Sequence, residues 1–192
     1  PPPMYSRSAR RVAFYYQTFT ATSFPELSGI NSDHVTDLYV SALHFGTNED
    51  GSPYLHLNDY PPEHFHLFWD AIDRLSPSVR VHVMLGGAGG GLAPLCTNYA
   101  AYGPLLFKLI AYNTRITGIL LDVEEPGIPE AAVESLVHNL ARKYPGFELS
   151  MAPVASPCRE NAFDLSAFTE SAAAQQIRTY CVQMYGCFSA AA

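Results

Sequence analysis

Charge is scarce in this chain. Asp, Glu, Lys and Arg make up 15% of its 192 residues, against 48% hydrophobic residues. That composition excludes a disordered chain, which needs many charges and few apolar groups to stay solvated. Basic residues are the scarcer sign, with 11 Lys and Arg against 18 Asp and Glu, a net charge of −7. An acidic protein is repelled by nucleic acid and by anionic membranes, so neither is expected as a partner. Long apolar runs are missing too: none reaches the roughly 20 residues that cross a bilayer. The start, Pro1-Pro2-Pro3-Met4, lacks the charged and apolar parts of a signal peptide. It begins without methionine, so the natural start is expected upstream and secretion stays open. The four cysteines, Cys96, Cys158, Cys181 and Cys187, show no paired ligand spacing. Cys181 falls in an apolar run, where a buried thiol is expected, and cysteine usage leans to a reducing, cytoplasmic compartment.

Several catalytic signatures are also absent. The glycines between 86 and 91 lack the Lys-Ser/Thr of a phosphate-binding loop and the spacing of a dinucleotide fingerprint. No Gly-x-Ser-x-Gly elbow occurs. His64 and His66 are two apart, and on a helix such residues do not face each other, so no metal is expected there. No cofactor is called for.

What is present is an alternation of strand-like and helix-like segments. Apolar runs at Val12–Thr18, Leu38–Phe45, Arg80–Gly87, Gly118–Glu125, Phe147–Val154 and Thr179–Gly186 read as strands. Helices are expected over His64–Leu75, Asn98–Asn113, Glu130–Tyr144 and Asp164–Gln176. Pro129 suits a first turn, Pro145-Gly146 a stop, and Asp164 an N-cap. Gly103-Pro104 marks a kink or a late start. The whole chain, 1–192, reads as one domain of parallel βα units, either a doubly wound sheet or a closed barrel.

The run Thr117-Gly118-Ile119-Leu120-Leu121-Asp122-Val123-Glu124-Glu125 ends abruptly in acid. Parallel strands are apolar on both faces, and catalytic groups collect at their C-terminal ends. Side chains alternate, so Leu120, Asp122 and Glu124 share one face and Glu125 takes the other. Two carboxyls in one cleft cannot both ionise cheaply, so one keeps its proton near neutral pH. A proton donor beside a charged neighbour suits cleavage of a glycosidic bond.

These residues resemble the signature of glycoside hydrolase family 18, the chitinases and their relatives: Asp-Gly-x-Asp-x-Asp-x-Glu on the fourth strand of a (β/α)8 barrel. Gly118, Asp122 and Glu124 match it, while Thr117 and Leu120 replace the first two aspartates. Other segments resemble the family in the right order. Val12-Ala13-Phe14-Tyr15-Tyr16 is similar to its first strand, Met84-Leu85-Gly86-Gly87 to its third, Met151-Ala152-Pro153 to its fifth, and Val182-Gln183-Met184-Tyr185 to its sixth.

The resemblance implies a TIM-type (β/α)8 barrel with about six βα units present, short of the ~250 residues the full fold takes. It implies hydrolysis of β-1,4-linked N-acetylglucosamine polymers such as chitin by a substrate-assisted retaining route. Glu124 would be the acid and base, Asp122 would hold the acetamide N–H, and Tyr185 its carbonyl. Gln183, Tyr15, Gly86, Gly87 and Met151 would line the sugar site. N-glycan cleavage by a related endo-β-N-acetylglucosaminidase is the neighbouring reading, and a non-catalytic carbohydrate binder or inhibitor on the same fold is the rival. Exposed edges at the first and sixth strands would favour self-association. Leu120 would raise the cost of charging Asp122 and weaken catalysis.

Overall fold

The computed structural model describes residues 10–17, 27, 30, 33–87, 90–154 and 163–183. The chain runs β1 (Ala13–Tyr16), β2 (Asp37–Thr47), β3 (Pro53–Leu57), α1 (His66–Asp73), β4 (Arg80–Gly86), α2 (Ala93–Thr97) and α3 (Tyr99–Tyr112). It continues through β5 (Ile116–Val123), α4 (Glu130–Lys143), β6 (Glu148–Pro153), α5 (Leu165–Thr169) and β7 (Ile177–Tyr180). Six strands are parallel, in the spatial order β1-β2-β4-β5-β6-β7, and β3 pairs antiparallel with the far part of β2.

The sheet is apolar on both faces, which is why the strands read as unbroken hydrophobic runs. Leu38, Val40, Val83, Leu85, Ile119, Leu121, Val123 and Met151 face the helices and pack with Phe68, Ile72, Leu106, Val133 and Leu136. The alternate residues Tyr39, Met84, Leu120 and Ala152 form a second, smaller cluster on the other side. Flat, this sheet would hold β1 and β7 five strand spacings apart, about 24 Å. They are instead in reach of one another. Arg11, just before β1, donates to Glu148 of β6 at 2.5 Å and to Thr179 of β7 at 3.2 Å. Tyr15 of β1 shares a hydrogen bond with Cys181, just past β7. The sheet therefore curls, with helices outside, as an incomplete TIM-type barrel does.

The N-terminal end of the curl is closed by paired charges. Asp37 is fully buried and takes Arg11 at 2.7 and 3.0 Å, Arg80 at 2.9 Å, and His82 Nε2 at 3.0 Å. Arg80 also reaches Glu148 at 3.3 Å. Burial works against charge on Asp37, but hydrogen bonds from Arg11, Thr36 and Arg80 outweigh it and hold its carboxyl well below the usual range. Burial pushes His82 down despite Asp37. Gly118 is required by this ring: a Cβ there would stand 2.0 Å from His82 Nδ1.

The first helix begins as a 3-10 turn at Pro62–Phe65 before α1, and Trp69 on it donates to the Pro62 carbonyl at 3.0 Å. Asn98 caps α3, which continues unbroken through Gly103-Pro104. Asp164 caps α5, accepting from the Ala167 amide at 3.1 Å. The expected helix to Gln176 is broken, with α5 ending at Thr169 and a separate 3-10 turn at Ala173–Gln176. Phe168 and Ala173 are both fully buried. Five positions apart, they would lie about 140° apart on one helix, so a continuous helix could not bury both. The last strand is also shifted, covering Ile177–Tyr180 rather than starting at Thr179.

Candidate active site

Asp122 sits near the C-terminal end of β5, the fourth parallel strand, and is 3% exposed. It is flanked in register by Gly86 of β4 and Ala152 of β6. Its side chain opens into a cavity of about 430 Å³ inside the curl, walled by Tyr15, Met84, Ala152, Cys181 and Gln183 among others. Glu124 follows one residue past the strand end, half-buried. Its carboxyl and that of Asp122 meet over Gly87: a Cβ on that glycine would lie 3.4 Å from Asp122 Oδ2 and 3.8 Å from Glu124 Oε1. Gly86 adopts φ +95°, and a Cβ there would strike the Asp122 carbonyl at 2.6 Å. The two glycines let the β4 backbone pass against the acids, which no larger residue permits.

Burial pushes the Asp122 carboxyl up to about 7, and the negative charge of Glu124 adds to it. A hydrogen bond from Gln183 pulls the other way, and one shared with Glu124 raises it further. A hydrogen bond between two carboxyls needs a proton on one of them, so the pair holds one proton towards neutral pH. That is a group able to give and take a proton in a confined, partly dry cleft.

Glu125 serves a different purpose. Its carboxylate accepts from the backbone amides of Leu92 and of Ala93, at the start of α2. The opposite phase along the strand separates it from Asp122 and Glu124, as alternation requires.

The expected sugar-site residues divide. Tyr15 is on the cavity wall, its ring 4.9 Å from that of Tyr39. Gln183 is there as well, donating to Asp122 Oδ1 at 2.5 Å. Gly86 and Gly87 lie against the acids. Met151 does not belong. It is fully buried in the layer between sheet and helices, and its neighbour Ala152 takes the cavity position. The register puts Ala152 beside Asp122 and Met151 beside Leu121, so parity along β6 sends the methionine outward. Tyr185 lies outside the described residues. Leu120 shares the inner face with Asp122, fully buried.

One wall position and one neighbour of the acids escaped the sequence reading. Cys181, read as a buried strand thiol, is half-buried on the cavity wall. His44 is near the acids: its Nε2 would lie 3.8 Å from the Cβ on Gly87. The alternation of β2 carries no local mark that could have singled out His44. Among the described residues no group of three or more His, Cys, Asp or Glu is arranged to hold a metal ion. A larger depression of about 700 Å³ lies elsewhere, among β3, α1 and α3, and does not include the strand-end acids.

No protein-family model and no curated protein matches the chain. Solved structures do. Chitinase ChiC from Aspergillus fumigatus superposes with a TM-score of 0.77 at 27% identity, covering 91% of this chain and 66% of that one. A fungal endo-beta-N-acetylglucosaminidase from glycosyl hydrolase family 18 gives 0.72 at 28% identity, with the same coverage of 91% and 66%. A family GH18 chitinase catalytic domain from the fern Peteris ryukyuensis shares the fold at 0.61 and 17% identity, over 90% of this chain and 67% of that one. The chain thus spans about two thirds of the length of the structures it matches. The curled parallel sheet, the acid pair at the end of its fourth parallel strand and this likeness together make the chain chitinase-like, similar in structure to solved members of glycoside hydrolase family 18.

Proposed function

We propose that the protein hydrolyses β-1,4-linked N-acetylglucosamine polymers, as chitinases do, with retention at the anomeric carbon. The observation that carries this is the proton-sharing pair of Asp122 and Glu124 beside a half-open cavity on the C-terminal side of the sheet. Glu124 protonates the glycosidic oxygen as its bond to the anomeric carbon breaks. The substrate's own acetamide oxygen attacks that carbon and closes an oxazolinium ring. Asp122 accepts a hydrogen bond from the acetamide N–H and carries the counter-charge. Tyr185 steadies the acetamide oxygen. Glu124, now ionised, takes a proton from the incoming water, and the ring reopens. The reaction needs no second enzymic nucleophile, which suits a site whose next inward residue is Leu120 rather than an acid.

Cleavage within the N-acetylglucosamine core of N-glycans is a second reading, favoured by the likeness to a fungal endo-beta-N-acetylglucosaminidase. Hydrolysis of a fluorogenic chitooligosaccharide and of a high-mannose glycopeptide by the wild type and by Glu124→Gln separates these readings. Turnover of one substrate, lost in the variant, identifies the activity. If neither substrate is cut while both proteins bind chitin equally, the protein is a carbohydrate binder and the enzymatic reading falls. The 192-residue chain is also proposed to self-associate through β1 and β7, which among the described residues are each paired on one side only. Sedimentation as a monomer would contradict that.

A further inference from the structure

We propose that Gln183 is the positioning residue of the acid pair: its side-chain amide holds the Asp122 carboxyl turned toward Glu124, a task Leu120 below cannot share. The inference rests on the hydrolytic reading of the site but changes the part Gln183 plays in it. Leu120 is the inward side chain one step beneath Asp122 and is fully buried against Tyr39, Met84 and Ala152. It offers neither donor nor acceptor. From that side, nothing about its chemistry could orient a carboxyl.

Gln183 approaches from across the curl. Its Nε2 donates to Asp122 Oδ1 at 2.5 Å and to the Ala152 carbonyl at 3.0 Å. Both hydrogens of the amide are therefore spent. The opposite orientation would set the amide oxygen against a main-chain carbonyl, so the hydrogen-bond pattern itself selects which end is nitrogen. The backbone of Gln183 is tied down as well, its N–H donating to the Pro153 carbonyl at 2.8 Å. With Oδ1 held in this way, Oδ2 is the oxygen that lies over Gly87, where Glu124 Oε1 also lies. A carboxyl clamped at one oxygen presents the other in a fixed direction, and a proton shared with Glu124 needs that direction.

Other ionisable groups surround the pair without taking this role. Glu125 adds negative charge from the same segment, and Tyr15 of β1 feels the charge of Asp122. Cys181 shares the cavity wall, and His44 of β2 approaches across Gly87. Gln183 is the group with a fixed bond to Oδ1. Since its donors are committed, it presents only its carbonyl to a sugar, so it serves the acid more than the substrate.

Carboxyl carbon NMR of the protein labelled at Asp and Glu tests this directly in the wild type, Gln183→Met and Gln183→Glu. Methionine keeps the length and loses the donor; glutamate replaces the donor with an acceptor. The upper titration midpoint of the pair is expected to rise by about one pH unit in Gln183→Met, the size of a lost charge-assisted hydrogen bond, and further in Gln183→Glu. Where the protein turns over substrate, kcat falls at least tenfold in both variants and KM stays within twofold. Equal midpoints in all three folded proteins would overturn the proposal. So would a raised KM with an unmoved midpoint, which is the mark of a sugar-binding side chain. Absence of turnover in the wild type would sink the hydrolytic reading alone, because the titration judges Gln183 without it.

Discussion

The two ends of the curled sheet each hold a buried aspartate, and they treat it in opposite ways. At the N-terminal end Asp37 is surrounded by Arg11, Arg80, Thr36 and His82, and its carboxyl is held well below the ordinary range. At the C-terminal end Asp122 faces Glu124, with Gln183 as its donor, and burial plus the negative charge of Glu124 and, more weakly, of Glu125 push it up to about 7. Both are nearly or fully out of contact with water. Burial alone therefore does not decide the charge state; the sign of the neighbours does. One end spends its acid on tying strands together, the other keeps an acid where a proton can be moved.

Breaking the reactive end should have the largest effect. Glu124→Gln is expected to lower kcat on chitooligosaccharides by ~10²–10⁴-fold, the usual share of a general acid, with little change in melting temperature. Breaking the structural end should do the reverse. Asp37→Ala leaves Arg11 and Arg80 without their common acceptor and is expected to cost about 2–3 kcal/mol in chemical denaturation, less than a fully buried pair because both arginines retain access to water. If Asp37→Ala instead left stability unchanged, the charged floor would hold nothing together.

Gly118→Ala probes the steric side of the same floor. The new methyl would meet His82 Nδ1 at 2.0 Å, and the ring, closed in by Asp37 and Tyr39, has little room to retreat. A loss of about 2 kcal/mol by thermal or urea unfolding is expected, within the usual range for overpacking.

The comparison is sharpened further by pH, where the change per pH unit is the smallest of these effects. The native pKa of Asp122 is raised, so the folded state holds its proton more tightly than the unfolded chain does. Its contribution to stability is full below the ordinary carboxylate range near pH 4 and is lost as pH rises through about 7. Asp37 is lowered, so its contribution is present above that range and is lost only as pH falls through its native value. Urea unfolding from pH 4 to 8 should therefore show a decline of up to about 1 kcal/mol per pH unit in the wild type, and a flatter profile in Asp122→Asn. A profile equally steep in both proteins would mean that Asp122 is not the group titrating.

Much of the frame was legible. The parallel runs, α1, α3 and α4, and the cap at Asp164 all follow from periodicity and end chemistry. The hairpin arm β3 was missed, although Asp50-Gly51 lies between two strand-like stretches and Gly51 takes φ +83° in the turn. Pro53 at the head of a short strand hid it. Met151 was misplaced for a different reason. In β6, buried throughout past Glu148, the small Ser150 is the only polar mark of the inner phase in that buried stretch, and pairing with β5 settles which side faces in.

Sequence alone determined the alternation of strand and helix, and the shared phase of Leu120, Asp122 and Glu124, because both rest on chemistry repeated over a few residues. It also carried the family likeness in the acids at the end of β5. The tertiary structure decided the rest: which apolar face turns inward, how far the sheet curls, and that Gln183 meets Asp122 from 61 positions away while Arg11 meets Glu148 from 137. Those meetings depend on strand order and curvature. Neither leaves a trace in local composition, since each is set by the packing of the whole sheet.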